Sequence, residues 1–137
     1  MSEQLKRALS GMLLTLSLVL AACGASQPRI TVEAVLFDFG DVKLGDIVTR
    51  ELAVNNAGNR TLVIESVATS CGCTTASVDQ TQIAAGESTV LHIAFDSAAH
   101  GDVAGFYTRQ VYLATNDPEQ PEIRVEFTAN VVREEGN

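Results

Sequence analysis

Tryptophan is absent from this sequence, histidine occurs twice and cysteine three times. These shortages exclude several chemistries. With only His92 and His100 to join the cysteines, no spacing of a zinc finger can be assembled. There is no Cys-x-x-Cys and no βαβ pattern to set a thiol at a helix N-terminus, which excludes a thioredoxin-type arrangement. Neither a nucleophile elbow nor a phosphate-binding glycine loop occurs. Ser88, His92 and Asp96 share one face of an expected strand, but their steps of about 13 Å are too long for a catalytic triad. No catalytic constellation emerges, and the chain is expected not to be an enzyme. No cofactor is implied.

Positive charge is also scarce, with 9 Lys and Arg against 17 Asp and Glu and a net charge of −8. That balance argues against nucleic acid as a partner and against electrostatic adhesion to anionic lipid. The acidic residues are scattered rather than run together, as on a solvated surface.

Long hydrophobic runs are missing. The apolar run Gly11 to Ala22 falls short of the roughly 20 residues a membrane-spanning helix needs. Lys6 and Arg7 precede it and small residues close it, which is the plan of a secretory signal. A buried N-terminal helix is the alternative, but no other segment has the helical period to pack against it. Leu20-Ala21-Ala22-Cys23 resembles the lipobox of bacterial lipoproteins. The resemblance implies a diacylglyceryl group on the Cys23 thiol and, after cleavage, a palmitate-type acyl chain on its amine. Anchoring by more than one acyl chain holds stably to a bilayer. A plain secretory cut near Ala22 is the soluble alternative. Gly24 is not the aspartate that, in that family, retains lipoproteins in an inner membrane.

The expected organisation is therefore a signal peptide over 1–22, a lipidated tether over 23–29 and a domain over 30–133. The expected location is the extracytoplasmic face of the cell membrane or an outer membrane. Losing Lys6, Arg7 and Glu3 with the first 22 of 137 residues leaves 115 and moves the net charge from −8 to −9. That length makes about one domain with a core of its own.

From Ile30 onward the period is two. Leu91, Ile93 and Phe95 alternate with Val90, His92, Ala94 and Asp96, and Val111 and Leu113 alternate with Gln110, Tyr112 and Ala114. Ile123, Val125, Phe127, Ala129 and Val131 oppose Glu122, Arg124, Glu126, Thr128 and Asn130. Such alternation marks antiparallel strands with one face on a core. Less regular strands are expected at Thr31 to Phe37, Ile47 to Asn55 and Leu62 to Thr69, with a short piece near Ser77. Turn signals stand at Gly40-Asp41, Gly45-Asp46, Asn56 to Asn59, Gly86-Glu87 and Asn116-Asp117-Pro118. The expected fold is all-β: an immunoglobulin-like β-sandwich of about seven antiparallel strands. It lacks the tryptophan and inter-sheet disulfide of antibody domains, so aliphatic and Phe packing must hold it.

The strings Phe37-Asp-Phe39-Gly40-Asp-Val42-x-x-Gly45, Asn55-Asn56-Ala57-Gly58-Asn59-x-x-Leu62-Val63-Ile64 and Ser70-Cys71-Gly72-Cys73-Thr74 resemble one bacterial family. Ile83-Ala-Ala-Gly86-Glu87-Ser88, Phe95 and Asn116-Asp117-Pro118 continue the likeness. It is the domain-of-unknown-function family DUF1573, of secreted or lipid-anchored proteins. The resemblance implies a sandwich similar to those of the major sperm protein and of cilia-associated proteins. Ala76 and Ala85 stand where relatives often carry proline, and Ser97 to Phe106 lacks an expected basic residue.

Cys71 and Cys73 are separated by Gly72 alone. In an extended segment both sulfurs face one side, with Cα atoms about 6.5–7 Å apart, at the upper edge of disulfide geometry. Gly72 would let the backbone kink and shorten that span. The small ring would be strained and therefore oxidising. Outside the cytoplasm paired cysteines usually become disulfides. No Lys, Arg or His lies within five residues of either sulfur. Four readings stand: a local structural disulfide, a redox-active pair, a soft-metal site for Cu(I), or inert buried thiols. Asp38, Asp41 and Asp46 lack the dense loop of a calcium site and read as turn residues. Asn59-Arg60-Thr61 matches a glycosylation sequon that a bacterial lipoprotein would not ordinarily use.

The function expected is a lipid-anchored, non-enzymatic binding or scaffolding module of the cell envelope. Its partners would be the membrane, through the anchor, and another envelope protein or polymer. The alternative is thiol redox exchange or Cu(I) handling through Cys71 and Cys73.

Overall fold

The computed structural model describes Gly24, residues 26–99, Gly101 and residues 103–133. The expected signal segment, Cys23 and His100 lie outside the described residues.

Among the described residues nine strands form: β1 (Ile30–Val32), β2 (Leu36–Lys43), β3 (Ile47–Asn56), β4 (Leu62–Thr69), β5 (Thr74–Val78), β6 (Gln82–Ile83), β7 (Ser88–Asp96), β8 (Gly105–Thr115) and β9 (Glu122–Val132). They make a four-stranded sheet in the order β1-β3-β7-β5 and a five-stranded sheet in the order β2-β9-β8-β4-β6. The two sheets face each other as a sandwich, so the all-β expectation holds. Where the period is cleanest, the observed strands follow it residue by residue. Leu91, Ile93 and Phe95 of β7 are buried, and so are Ile123, Val125, Phe127, Ala129 and Val131 of β9. Phe127 is the aromatic hub, with ring centroids 5.5 Å from Phe37, 5.2 Å from Phe39 and 5.7 Å from Phe95. With neither a tryptophan nor an inter-sheet disulfide, aromatic packing in the core rests on this phenylalanine cluster.

Two features depart from the simplest reading of the sequence. The strand expected over Thr31 to Phe37 is broken in two: β1 pairs with β3 in one sheet, while β2 joins the other sheet and runs parallel to β9. The remaining pairings are antiparallel. Gly40-Asp41 is not a turn between strands but an irregularity inside β2. The register against β9 shifts between Asp38 and Asp41, and Gly40 takes a φ of 71° that other residues rarely adopt. Asp38 accepts hydrogen bonds there from the Gly40 amide at 3.0 Å and the Thr128 hydroxyl at 2.8 Å.

Buried polar side chains lock the loops at one end. Asn56 is 1% exposed; its Oδ1 accepts from the Arg29 and Gly58 amides, while its Nδ2 donates to the carbonyls of Arg60 and Ile83. Every hydrogen-bonding valence of that amide is used, as burial demands. Asp117, equally buried, accepts from the amides of Ile30, Glu119 and Gln120. The described part of the expected tether is not loose throughout. The carbonyls of Arg29 and Gln27 accept from the amides of Ala57 and Asn59, and the Asn59 side chain accepts from the Gln27 amide at 2.9 Å.

Candidate functional site

Cys71 and Cys73 sit on the turn between β4 and β5, which crosses from one sheet to the other. The segment is bent rather than extended, as the shortened span expected of a Cys-Gly-Cys disulfide requires. The turn brings the two Cα atoms to 5.3 Å, and a disulfide joins the sulfurs. Gly72 is not among the glycines at positive φ, so the left-handed freedom of glycine is not what closes the ring. A Cβ added at Gly72 would meet nothing within 4 Å.

Register places this turn far from the N-terminal strap. Thr74 of β5 pairs with Phe95 of β7, whereas Ser88, at the other end of β7, pairs with Asn55 beside the strap. Seven strand steps separate Ser88 from Phe95, about 24 Å. The disulfide thus lies toward the end of the sandwich opposite Gln27–Arg29.

The two sulfurs have different surroundings. Cys73 is 3% exposed and belongs to the core, while Cys71 is half-buried. Arg109 Nε donates to Cys73 Sγ at 3.1 Å, and the Thr74 hydroxyl lies 3.7 Å from the same sulfur. Cys71 Sγ accepts from the Cys73 amide at 3.1 Å. Thr69 fixes the turn by donating its hydroxyl to the carbonyls of Cys71 and Thr74.

Arg109 is the residue beside the disulfide that local reading of the sequence misses, because it lies 36 positions from Cys73. It stands in the inward row of β8, Tyr107-Arg109-Val111-Leu113, with Val111 and Leu113 fully buried. A charged residue on a core-facing row was the signal available to find it. Its guanidinium stacks on the Tyr107 ring, 4.9 Å from the centroid, and donates to the Thr108 carbonyl. Among the described residues no carboxylate forms an ion pair with it.

The other candidates are not assembled into a site. His92 is on the outer face of the first sheet, its Nε2 2.8 Å from Asp79 and its Nδ1 3.3 Å from Glu51. The hydrogen bond to Asp79, helped by both negative charges, pushes the His92 imidazole above its ordinary value. Asp41 is held by the Asn130 amide, and the Asp46 carbonyl by the Ser97 hydroxyl. Among the described residues no group of three or more His, Cys, Asp or Glu is placed to hold a metal ion.

The family described as "Protein of unknown function (DUF1573)" matches residues 30–131. No curated protein matches the chain. A protein of unknown function from Porphyromonas gingivalis W83 is similar in structure, with 26% identity and a TM-score of 0.68. The likeness covers 82% of this chain and 51% of that one, so this chain spans about half the length of that relative. The seventh PapD-like domain of human CEP192 superposes with a TM-score of 0.65 at 11% identity, covering 86% and 95% of the two chains. The VesB protease of Vibrio cholerae shares the fold over 31% of its length, at 16% identity and a TM-score of 0.57, with 75% of this chain covered. The two distant likenesses establish the sandwich architecture alone.

Proposed function

Because this chain belongs to the DUF1573 family of proteins of unknown function, we propose that it is a lipid-tethered, non-enzymatic binding or scaffolding module of the cell envelope. Cys23 would carry the lipid, and the partner would be another envelope protein or polymer. The observation that carries this reading is the opposition of the two ends of the sandwich. The clamp begins at Gln27, four positions after Cys23, a span of at most about 14 Å at full extension. At the other end Ile47, Val103 and Phe106 are 64%, 56% and 80% exposed. Single exposed apolar residues are ordinary, but three at the end pointing away from the bilayer suit a surface that a partner covers. The short edge strand β5 begins at the same end and offers backbone groups for strand addition.

A photo-crosslinking residue at Phe106 in intact cells should give one reproducible adduct, and the same residue at Glu51 should not. Cys23→Ala should abolish metabolic palmitate labelling and the adduct together. Labelling that survives Cys23→Ala contradicts the tether, and an unproductive Phe106 position contradicts the binding end.

A further inference from the structure

We propose that the Cys71–Cys73 disulfide is a thiol–disulfide exchange centre that takes two electrons from a dithiol of a partner polypeptide, with Arg109 holding the leaving sulfur. This inference does not depend on the lipid tether. It rests on the difference between the two sulfurs. Cys71 is half-buried and is the one an incoming thiolate can reach; Cys73 is enclosed between Arg109 and Thr74. Gly72, between them, is exposed and has open space where a side chain would stand. Gly72 is not at positive φ and no packing within the chain fills the space beside it, which leaves room for the backbone of a second polypeptide to approach.

The chemistry balances as follows. A substrate thiolate attacks Cys71 Sγ, forming a mixed disulfide as the Cys71–Cys73 bond breaks. The electron pair leaves on Cys73 Sγ, where the Arg109 N–H lies 3.1 Å away and the Thr74 hydroxyl 3.7 Å away. A second thiolate of the same substrate attacks its own sulfur in the mixed disulfide and expels the Cys71 thiolate, which the Cys73 amide receives. The substrate leaves with one disulfide, and the two protons its thiols gave up pass to solvent or to the two cysteines. One chain oxidises one dithiol. Exchange is fastest when the leaving thiolate is stabilised, and a charged donor does this better than a neutral one. A structural staple needs no such donor. A crosslink across two residues also has little chain entropy to remove.

The test is the rate at which dithiothreitol reduces the full-length protein under native conditions, followed by free-thiol titration. Arg109→Met keeps the stem and removes the charge. It should slow reduction about tenfold, the worth of one charge-assisted hydrogen bond to the leaving sulfur. Arg109→Lys should recover part of the rate, and Thr74→Val should lose a smaller share. In the single variants, Cys71 of Cys73→Ser should react with an aromatic disulfide reagent at least tenfold faster than Cys73 of Cys71→Ser. Rates in Arg109→Met and Thr74→Val equal to the parent overturn the proposal. So does a disulfide that opens only when the protein unfolds, or a Cys73 that outpaces Cys71.

Discussion

Asp117 carries a carboxylate into the protein interior at 1% exposure. Burial pushes its carboxyl up, but the amides of Ile30, Glu119 and Gln120, with the charge of Arg29, outweigh that and hold it below its ordinary value. A carboxylate whose folded value is depressed contributes stability in full above the unfolded value, near pH 4, and loses it as pH falls through the folded value. Asp117→Asn should therefore destabilise the protein at neutral pH and remove part of the acid limb of the stability curve. Urea unfolding from pH 7 to pH 2 checks this; parallel curves for parent and variant would contradict it. Asp117 was legible only as a turn residue in Asn116-Asp117-Pro118, because nothing local announces that its partners include Ile30, 87 positions away. Arg109 hid for the same reason. The cysteines announce themselves by spacing, whereas the cation that gives them direction arrives through the β4–β8 pairing of Thr69 with Val111.

Among the elements, the strands with strict alternation were fully legible. β7 and β9 bury the residues their period selects, since the pleat allows one set only per face. Partner choice was not legible. A period of two says that a residue faces inward, not which sheet the strand joins, so the transfer from β1 to β2 and the parallel pairing with β9 went unseen. The N-terminal strap is the element whose loss can be forecast most directly. Gly58 lies under it so closely that a Cβ would stand 2.3 Å from the Gln27 carbonyl oxygen and 2.6 Å from the Arg29 nitrogen. These are backbone atoms, which cannot swing aside as a side-chain tip could. Gly58→Ala should lift the strap, cost about 1–3 kcal/mol and open the chain to protease between residues 26 and 30. Cleavage no faster than in the parent would contradict the clamp. In the sequence Gly58 stood only as part of a turn signal, and the close approach that requires it comes from the strap.

For the molecule as a whole, cohesion comes from the face-to-face sheets rather than from the disulfide. Phe127 joins Phe37, Phe39 and Phe95, and the buried aliphatic rows of β3, β7, β8 and β9 close over them. A bridge across two residues closes so small a loop that its entropic contribution is on the order of 1.5 kcal/mol. Domains of this size are held by about 5–15 kcal/mol, so the sandwich has no need of it. The pair would then be available for chemistry at the end of the sandwich opposite the strap. Urea unfolding of Cys71→Ser/Cys73→Ser beside the oxidised parent tests this most directly. The account predicts one cooperative transition in both, with free energies within about 2 kcal/mol of each other. A double variant that has lost its cooperative transition would make the disulfide a structural staple and contradict the account.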